Sequence, residues 1–230
     1  RRMNTATSQP EVLPATAAKP VVRLATALEI LLVYAGILLY IWRWQSTYPR
    51  TWMLLFALVL LSHLAHRDTL RDMGLTFANL RASAGFVLPL AAALYVPLVV
   101  YGFASGRLVL LGPNRKTLAS LALYAVWCLF QQYLMQSYFH RRLMAVMRNP
   151  HRSSLIVALM FGAAHIPNPI LMVATTVGGF LLAEAFARYR NLLPLALAQA
   201  VGGFLVAALS PVALIHNMRV GPGYYSFGLR

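Results

Sequence analysis

The chemistry in this chain is concentrated in a few polar side chains that interrupt long apolar runs. The segment LFQQYLMQSYF, Leu129 to Phe139, carries Gln131, Gln132 and Gln136, with His140 directly after it. FGAAHIPNP places His165 just before a Pro-Asn-Pro stop, and LALAQAVGGF carries Gln199 ahead of Gly202 and Gly203. A primary amide offers two donors and an acceptor. Burying one without partners costs roughly 2–7 kcal/mol. An imidazole exchanges a proton near neutral pH. Such groups can hold a peptide backbone or a lipid head group in apolar surroundings, and the histidine adds a base.

The elements that must position these side chains are membrane-spanning helices. Apolar stretches of spanning length lie near residues 24–42, 52–66, 84–104, 117–139, 153–166, 170–187 and 192–215, the last of them open to a break at Pro211. An all-α, polytopic helical membrane protein of about seven transmembrane helices is expected. A mobile cytoplasmic tail over 1–23 precedes one helical membrane domain over 24–216, and a carboxyl-terminal tail covers 217–230. At the α-helical rise, Gln132 and Gln199 sit about 10 Å, and His165 about 15–18 Å, from the same membrane face. Gln132, Gln136 and His140 have i, i+4, i+8 spacing, which puts them on one helix face, and that face is expected to turn inward. Polar groups at membrane depth mark sites or pathways. Each glutamine alone is also explained as interhelical glue, about 0.6 kcal/mol per contact.

Composition supports the membrane reading. The chain is 60% hydrophobic and 11% charged, with a mean hydropathy of +0.65, whereas soluble domains carry about 25% charged residues. The net charge of +15 sits in short clusters between apolar runs, as membrane-flanking anchors do. No basic face or recognition motif accompanies it, so no nucleic-acid partner is expected. Arg1, Arg2, Lys19, Arg23, Arg67, Arg71, Arg81, Arg141, Arg142, Arg148, Arg152, Arg188 and Arg190 fall on one side, against seven basic residues on the other. The positive-inside rule makes the first side cytoplasmic. The expected location is therefore integral, in the bacterial inner membrane, with the amino terminus cytoplasmic and lipid as the surrounding partner. Cys128, alone in an apolar run, reads as a small buried hydrophobe.

The motifs over about residues 115–210 resemble the CAAX prenyl protease and bacteriocin-processing (CPBP, or Abi) family of intramembrane endopeptidases. That family shows Glu-Glu-x-x-x-Arg on one helix, Phe-x-x-x-His on the next, and a late His-x-x-x-Asn/Asp. Here QQYLMQ keeps the first spacing with glutamine in each place, FGAAH is an intact second motif, and QAVGG stands where the third falls. The resemblance implies that Gln131, Gln132, Gln136, His165 and Gln199 occupy the catalytic positions. Phe161, Asn168 and Gly203 are expected to contact a peptide substrate within the membrane.

In the family, glutamates and histidines activate a water and stabilise an oxyanion, with a metal proposed for some members. Glutamine does not titrate near neutral pH, so the general base is reduced to His165. Catalytic zinc wants about three Cys, His or carboxylate ligands, and only His165 qualifies, so no metal or other cofactor is expected. Glu184 stands four residues before Arg188, the favourable order for a helix ion pair, and Glu29 reads as an interfacial residue. Three functions remain open: an intramembrane endopeptidase with an altered catalytic set, a non-catalytic binding or regulatory pseudoprotease, and a small transporter.

Overall fold

Asparagine directly before proline or leucine punctuates the second half of the chain, and each such asparagine starts a helix. In the computed structural model, which describes residues 20–108 and 115–227, Asn149 accepts from Arg152 N, Asn168 from Leu171 N and Asn191 from Leu193 N. Side-chain oxygens there satisfy amides that a helix start leaves unpaired, and proline at the next position lacks the N–H that would be orphaned. Arg148 and Arg190 end the preceding helices in left-handed conformation.

Seven long helices result among the described residues. α1 spans Pro20–Thr47 and contains a π-helical turn at Tyr40–Trp44. α2 is Thr51–Ala65 and α3 is Leu80–Ala104. α4 runs unbroken through Arg115–Gln132, a π-helical stretch Tyr133–His140, and Arg141–Met147. α5 is Pro150–Ala163, α6 is Pro169–Tyr189 and α7 is Leu192–Leu209. Two short helices come after them, α8 (Val212–Ile215) and α9 (Pro222–Tyr225). No strand occurs among the described residues.

α1, α3, α6 and α7 are long and apolar enough to cross a membrane, and α2 is a shorter apolar helix. Leu31, Leu32, Leu64, Leu123, Val126 and Val173 are exposed on helix faces, while Gln132, His140, Ser153, Ser154 and Asn168 are fully buried. Apolar outside with hydrogen-bonded polar groups inside is the arrangement lipid demands. The protein is an integral, polytopic helical membrane protein in contact with lipid. The expected last span, 192–215, is interrupted: α7 ends at Leu209, Ser210 is extended, and Pro211 precedes α8. The expected fourth span, 117–139, continues to Met147 because its basic end is held inside the bundle. The amino-terminal tail lies outside the described residues except for Pro20–Arg23, which form the first turn of α1.

Small residues set the helix spacings. A Cβ on Gly162 would overlap Thr176 of α6, and one on Gly179 would meet Phe161 at 3.2 Å, so α5 and α6 pack almost backbone to backbone. Gly203 of α7 lies against the Tyr124 hydroxyl of α4, and Gly202 against Tyr95 of α3. Close approach of this kind drives helix association where no hydrophobic effect operates. It brings α4, α5 and α7, the helices bearing the polar motifs, into one cluster.

Candidate functional site

Three amides meet where α4 faces α7. Gln132 Nε2 donates to Gln199 Oε1 at 2.6 Å, and Gln199 Nε2 donates to Gln131 Oε1 at 2.6 Å. The Gln199 amide thus bridges the adjacent pair on the other helix. Gln132 is fully buried and its Oε1 has no partner. Gln131 Oε1 accepts from Gln199, and the residue lines a cavity of about 720 Å³.

That cavity is walled by Tyr34, Ile37 and Ile41 of α1, Leu55, Phe56 and Val59 of α2, Phe130 and Leu134 of α4, Phe161 of α5, and Val220. Its polar lining at the motif end is Gln131 and His165. His165 Nδ1 lies 2.7 Å from the Phe161 carbonyl oxygen. A carbonyl only accepts, so Nδ1 carries the proton and Nε2 of the neutral ring is an acceptor. The imidazole stands edge-on to the Phe161 ring, with centroids 5.0 Å apart. The FxxxH spacing has a physical meaning here, since one helical turn lets the histidine bond back to the phenylalanine's own carbonyl.

The other motif positions go elsewhere. Gln136 and His140 do not line the cavity; His140 Nδ1 pairs with Gln136 Oε1 at 3.1 Å and its Nε2 with Ser154 Oγ at 3.2 Å. Gln132, Gln136 and His140 are all buried, as an inward-turned face requires, but none of the three lines the cavity. The Gln136–His140 pair locks α4 to α5 instead. Asn168 is wholly buried and committed: its Oδ1 caps α6, and its Nδ2 donates to Ile215 O at 2.7 Å and Arg219 O at 3.1 Å. Gly203 faces Tyr124. Phe161 does line the cavity, beside His165.

A second polar cluster, not anticipated as one unit, lies towards the other end of α1. The Glu29 carboxylate accepts from Ser62 Oγ at 2.5 Å and Tyr138 OH at 2.9 Å, and pairs with His66 at 3.1 Å. Asp68 Oδ2 contacts His63 Nδ1 and Arg142 Nη2, each at 2.7 Å, and Asp68 Oδ1 accepts from Arg141 at 2.7 Å. Burial alone would raise the Asp68 carboxyl; the bonds from His63 and Arg142 and the charges of Arg141 and Arg142 outweigh it and hold the group well below the usual carboxylate range. The two acids fasten α1, α2, the 66–79 loop and α4 together. The scarcity of acids was the available signal, since a chain with five leaves few places to put them.

Glu184 does not pair with Arg188. Its carboxylate lies 2.9 Å from His151 Nδ1 across the α5–α6 contact, and the Arg188 guanidinium sits over the Phe86 ring at 5.3 Å. Among the described residues, Glu29, Asp68, Asp72 and Glu184 all have partners away from the cavity, and none lines it. Nor do any three His, Cys, Asp or Glu side chains among them group to hold a metal ion. Neutral amides are poor zinc donors beside His, Cys or carboxylate, so the donor set at the motif positions does not fit a catalytic metal.

Residues 113–205 match a family model described as Rce1-like, type II CAAX prenyl endopeptidase Rce1-like. Over this segment, which is less than half of the chain, the protein is similar to the CAAX protease family. The match spans α4 to α7 and contains every motif position from Gln131 to Gly203. No match was found among curated proteins or among solved structures. The faces of α1 and α2 that complete the cavity lie outside the part that matches the CAAX protease family.

Proposed function

We propose that this CAAX-protease-like protein binds an extended apolar peptide within the membrane and does not hydrolyse it. The observation that carries the reading is that Gln131, whose oxygen is taken by Gln199, and His165, whose Nε2 is an acceptor, line the same end of a cavity walled mainly by aliphatic and aromatic side chains. A peptide unit offers the complementary groups, one carbonyl and one N–H. Aliphatic and aromatic walls then take side chains that would otherwise face lipid.

Turnover asks for more. A base at His165 would become a cation in apolar surroundings, where an unpaired charge is disfavoured, with no carboxylate on the cavity to offset it. Gln131, Gln132 and Gln199, at the family's acid and histidine positions, hydrogen-bond to one another and neither take up nor release protons near neutral pH. The excess of basic residues on its side of the membrane supports a cytoplasmic amino terminus. That orientation puts the Glu29–Asp68 cluster near the cytoplasmic face and Val220 towards the opposite one.

The test is equilibrium binding of a fluorescent leucine- and alanine-rich peptide to the protein in lipid nanodiscs. Saturable binding, weakened at least tenfold by Gln131→Leu and by His165→Phe, supports the reading. Binding unchanged by both substitutions overturns it, and uptake of a solute into proteoliposomes, lost on Gln132→Leu, would favour a transporter.

A further inference from the structure

The carboxyl-terminal segment after α7 folds back to border the cavity through Val220. Pro211 breaks the helix, and His216, Asn217 and Met218 are all left-handed, with φ of 44°, 52° and 59°. Non-glycine residues avoid that region, so three in succession persist only where neighbours hold them. The holds are visible. Asn168 donates to the carbonyls of Ile215 and Arg219 on either side of the turn. The His216 ring stacks on Tyr224 at 4.0 Å and on Phe227 at 5.1 Å.

Beyond the turn, the chain reaches the cavity wall at Val220. Arg219 is extended, with φ −75° and ψ 149°. Val220 lines the cavity together with His165 and Phe161. Gly221 N donates to Ile166 O at 2.9 Å, one residue past His165. Gly221 also lies against α1, where an added Cβ would come within 2.9 Å of the Ile41 side chain. The segment therefore makes a backbone hydrogen bond, contributes Val220 to the cavity lining, and bridges the two walls.

We propose that residues 219–221 are a built-in occupant of the peptide site, and that the segment from Ser210 onward must swing away before a guest peptide enters fully. This rests on the peptide-binding reading and adds its regulation. Apparent affinity for a guest falls by the fraction of molecules whose site is open. Anything that frees the segment raises capture, and anything that pins it lowers capture.

The experiment uses the full chain in phosphatidylcholine nanodiscs and a leucine- and alanine-rich peptide carrying a benzophenone. A paired variant, Ile41→Cys with Gly221→Cys, is compared oxidised and reduced within one preparation, so that folding is common to both arms. A second variant, Asn168→Ala, releases the two carbonyls, with hydrogen exchange of the 214–226 amides monitored in parallel. Oxidation should lower peptide labelling at least tenfold, reduction should restore it, and Asn168→Ala should raise it at least threefold alongside faster exchange. Equal labelling in the oxidised and reduced forms overturns the built-in occupant while leaving peptide binding standing. No labelling in any form, the released variant included, overturns both.

Discussion

Replacing Gln199 by leucine removes the middle amide of the three-residue chain. Both of its 2.6 Å bonds disappear. Gln131 Oε1 and Gln132 Nε2 are left unpaired, next to a Gln132 Oε1 that already lacks a partner. Polar contacts between membrane helices contribute about 0.6 kcal/mol on average and at most about 1.7. Losing two should therefore destabilise the bundle by about 1–3 kcal/mol. The informative comparison is with Gln131→Leu, Gln132→Leu and Gln199→Leu combined. Removing all partners together leaves no orphan, and such replacements are close to neutral. The triple variant should cost less than the sum of the singles by about 1–3 kcal/mol. Reversible unfolding in mixed micelles, titrated with denaturing detergent, gives the free energies. A Gln199→Leu variant within about 0.3 kcal/mol of the parent, or strict additivity, would refute the amide chain.

Asp68→Asn leaves Arg141 and Arg142 facing a neutral group where the Asp68 and Arg142 side chains are each 4% exposed. Breaking a buried ion pair by one partner costs about 3–5 kcal/mol, readable in the same unfolding assay. Because the folded Asp68 carboxyl lies below its unfolded value of about 3.9, its stabilisation is complete above that pH and is lost as pH falls towards the folded value. Asp68→Asn should flatten the stability curve below about pH 4, and an unchanged acid limb would contradict the pairing. Gly203→Val pushes a side chain into the Tyr124 hydroxyl and should destabilise by about 1–3 kcal/mol. Gly85→Ala, with nothing within 4 Å of the added carbon, should be neutral or stabilising, and similar losses at both sites would sink the close-approach argument. Restoring the family residues by Gln131→Glu, Gln132→Glu and Gln199→His should generate cleaved peptide detectable by mass spectrometry. If that variant folds and cuts nothing, the missing titratable groups are not what separates binding from turnover.

The fold was legible in hydropathy because lipid leaves a chain few options. Among the described residues, seven long helices occur at the seven apolar stretches, with α2 and α5 the short ones in sequence and structure alike. The convergence of Gln131, Gln132 and Gln199 was readable by placing polar groups of separate helices at one depth. Gln136 and His140 turn inward as their spacing implied, but they bond to each other and to Ser154 rather than lining the cavity, and neither that partner nor the eight-residue π-helical stretch is announced by YLMQSYFH. Asn168 has the look of a site residue beside His165, yet a residue between two prolines at a helix start caps first and has one amide left to hold another segment. The buried cluster of Glu29, Asp68 and Arg142 is hidden for a different reason. Arg141 and Arg142 read as interfacial anchors until the 66–79 loop is seen folding back, with Leu192 N bonded to Gly74 O at 3.0 Å and Asn191 Nδ2 to Thr76 O at 2.7 Å. Tertiary closure of that kind has no local signature. α1 and α2 supply half the cavity without any motif, since only their apolar volume is used.

The most direct measurement is nitrogen NMR of the Gln131 side-chain amide and His165 Nε2 while an apolar peptide is titrated into the protein in nanodiscs, with the mass of the peptide monitored in the same tube. The account predicts that both resonances shift with one shared dissociation constant and that the peptide stays whole. Resonances that ignore the peptide, or a peptide that is cut, would contradict it.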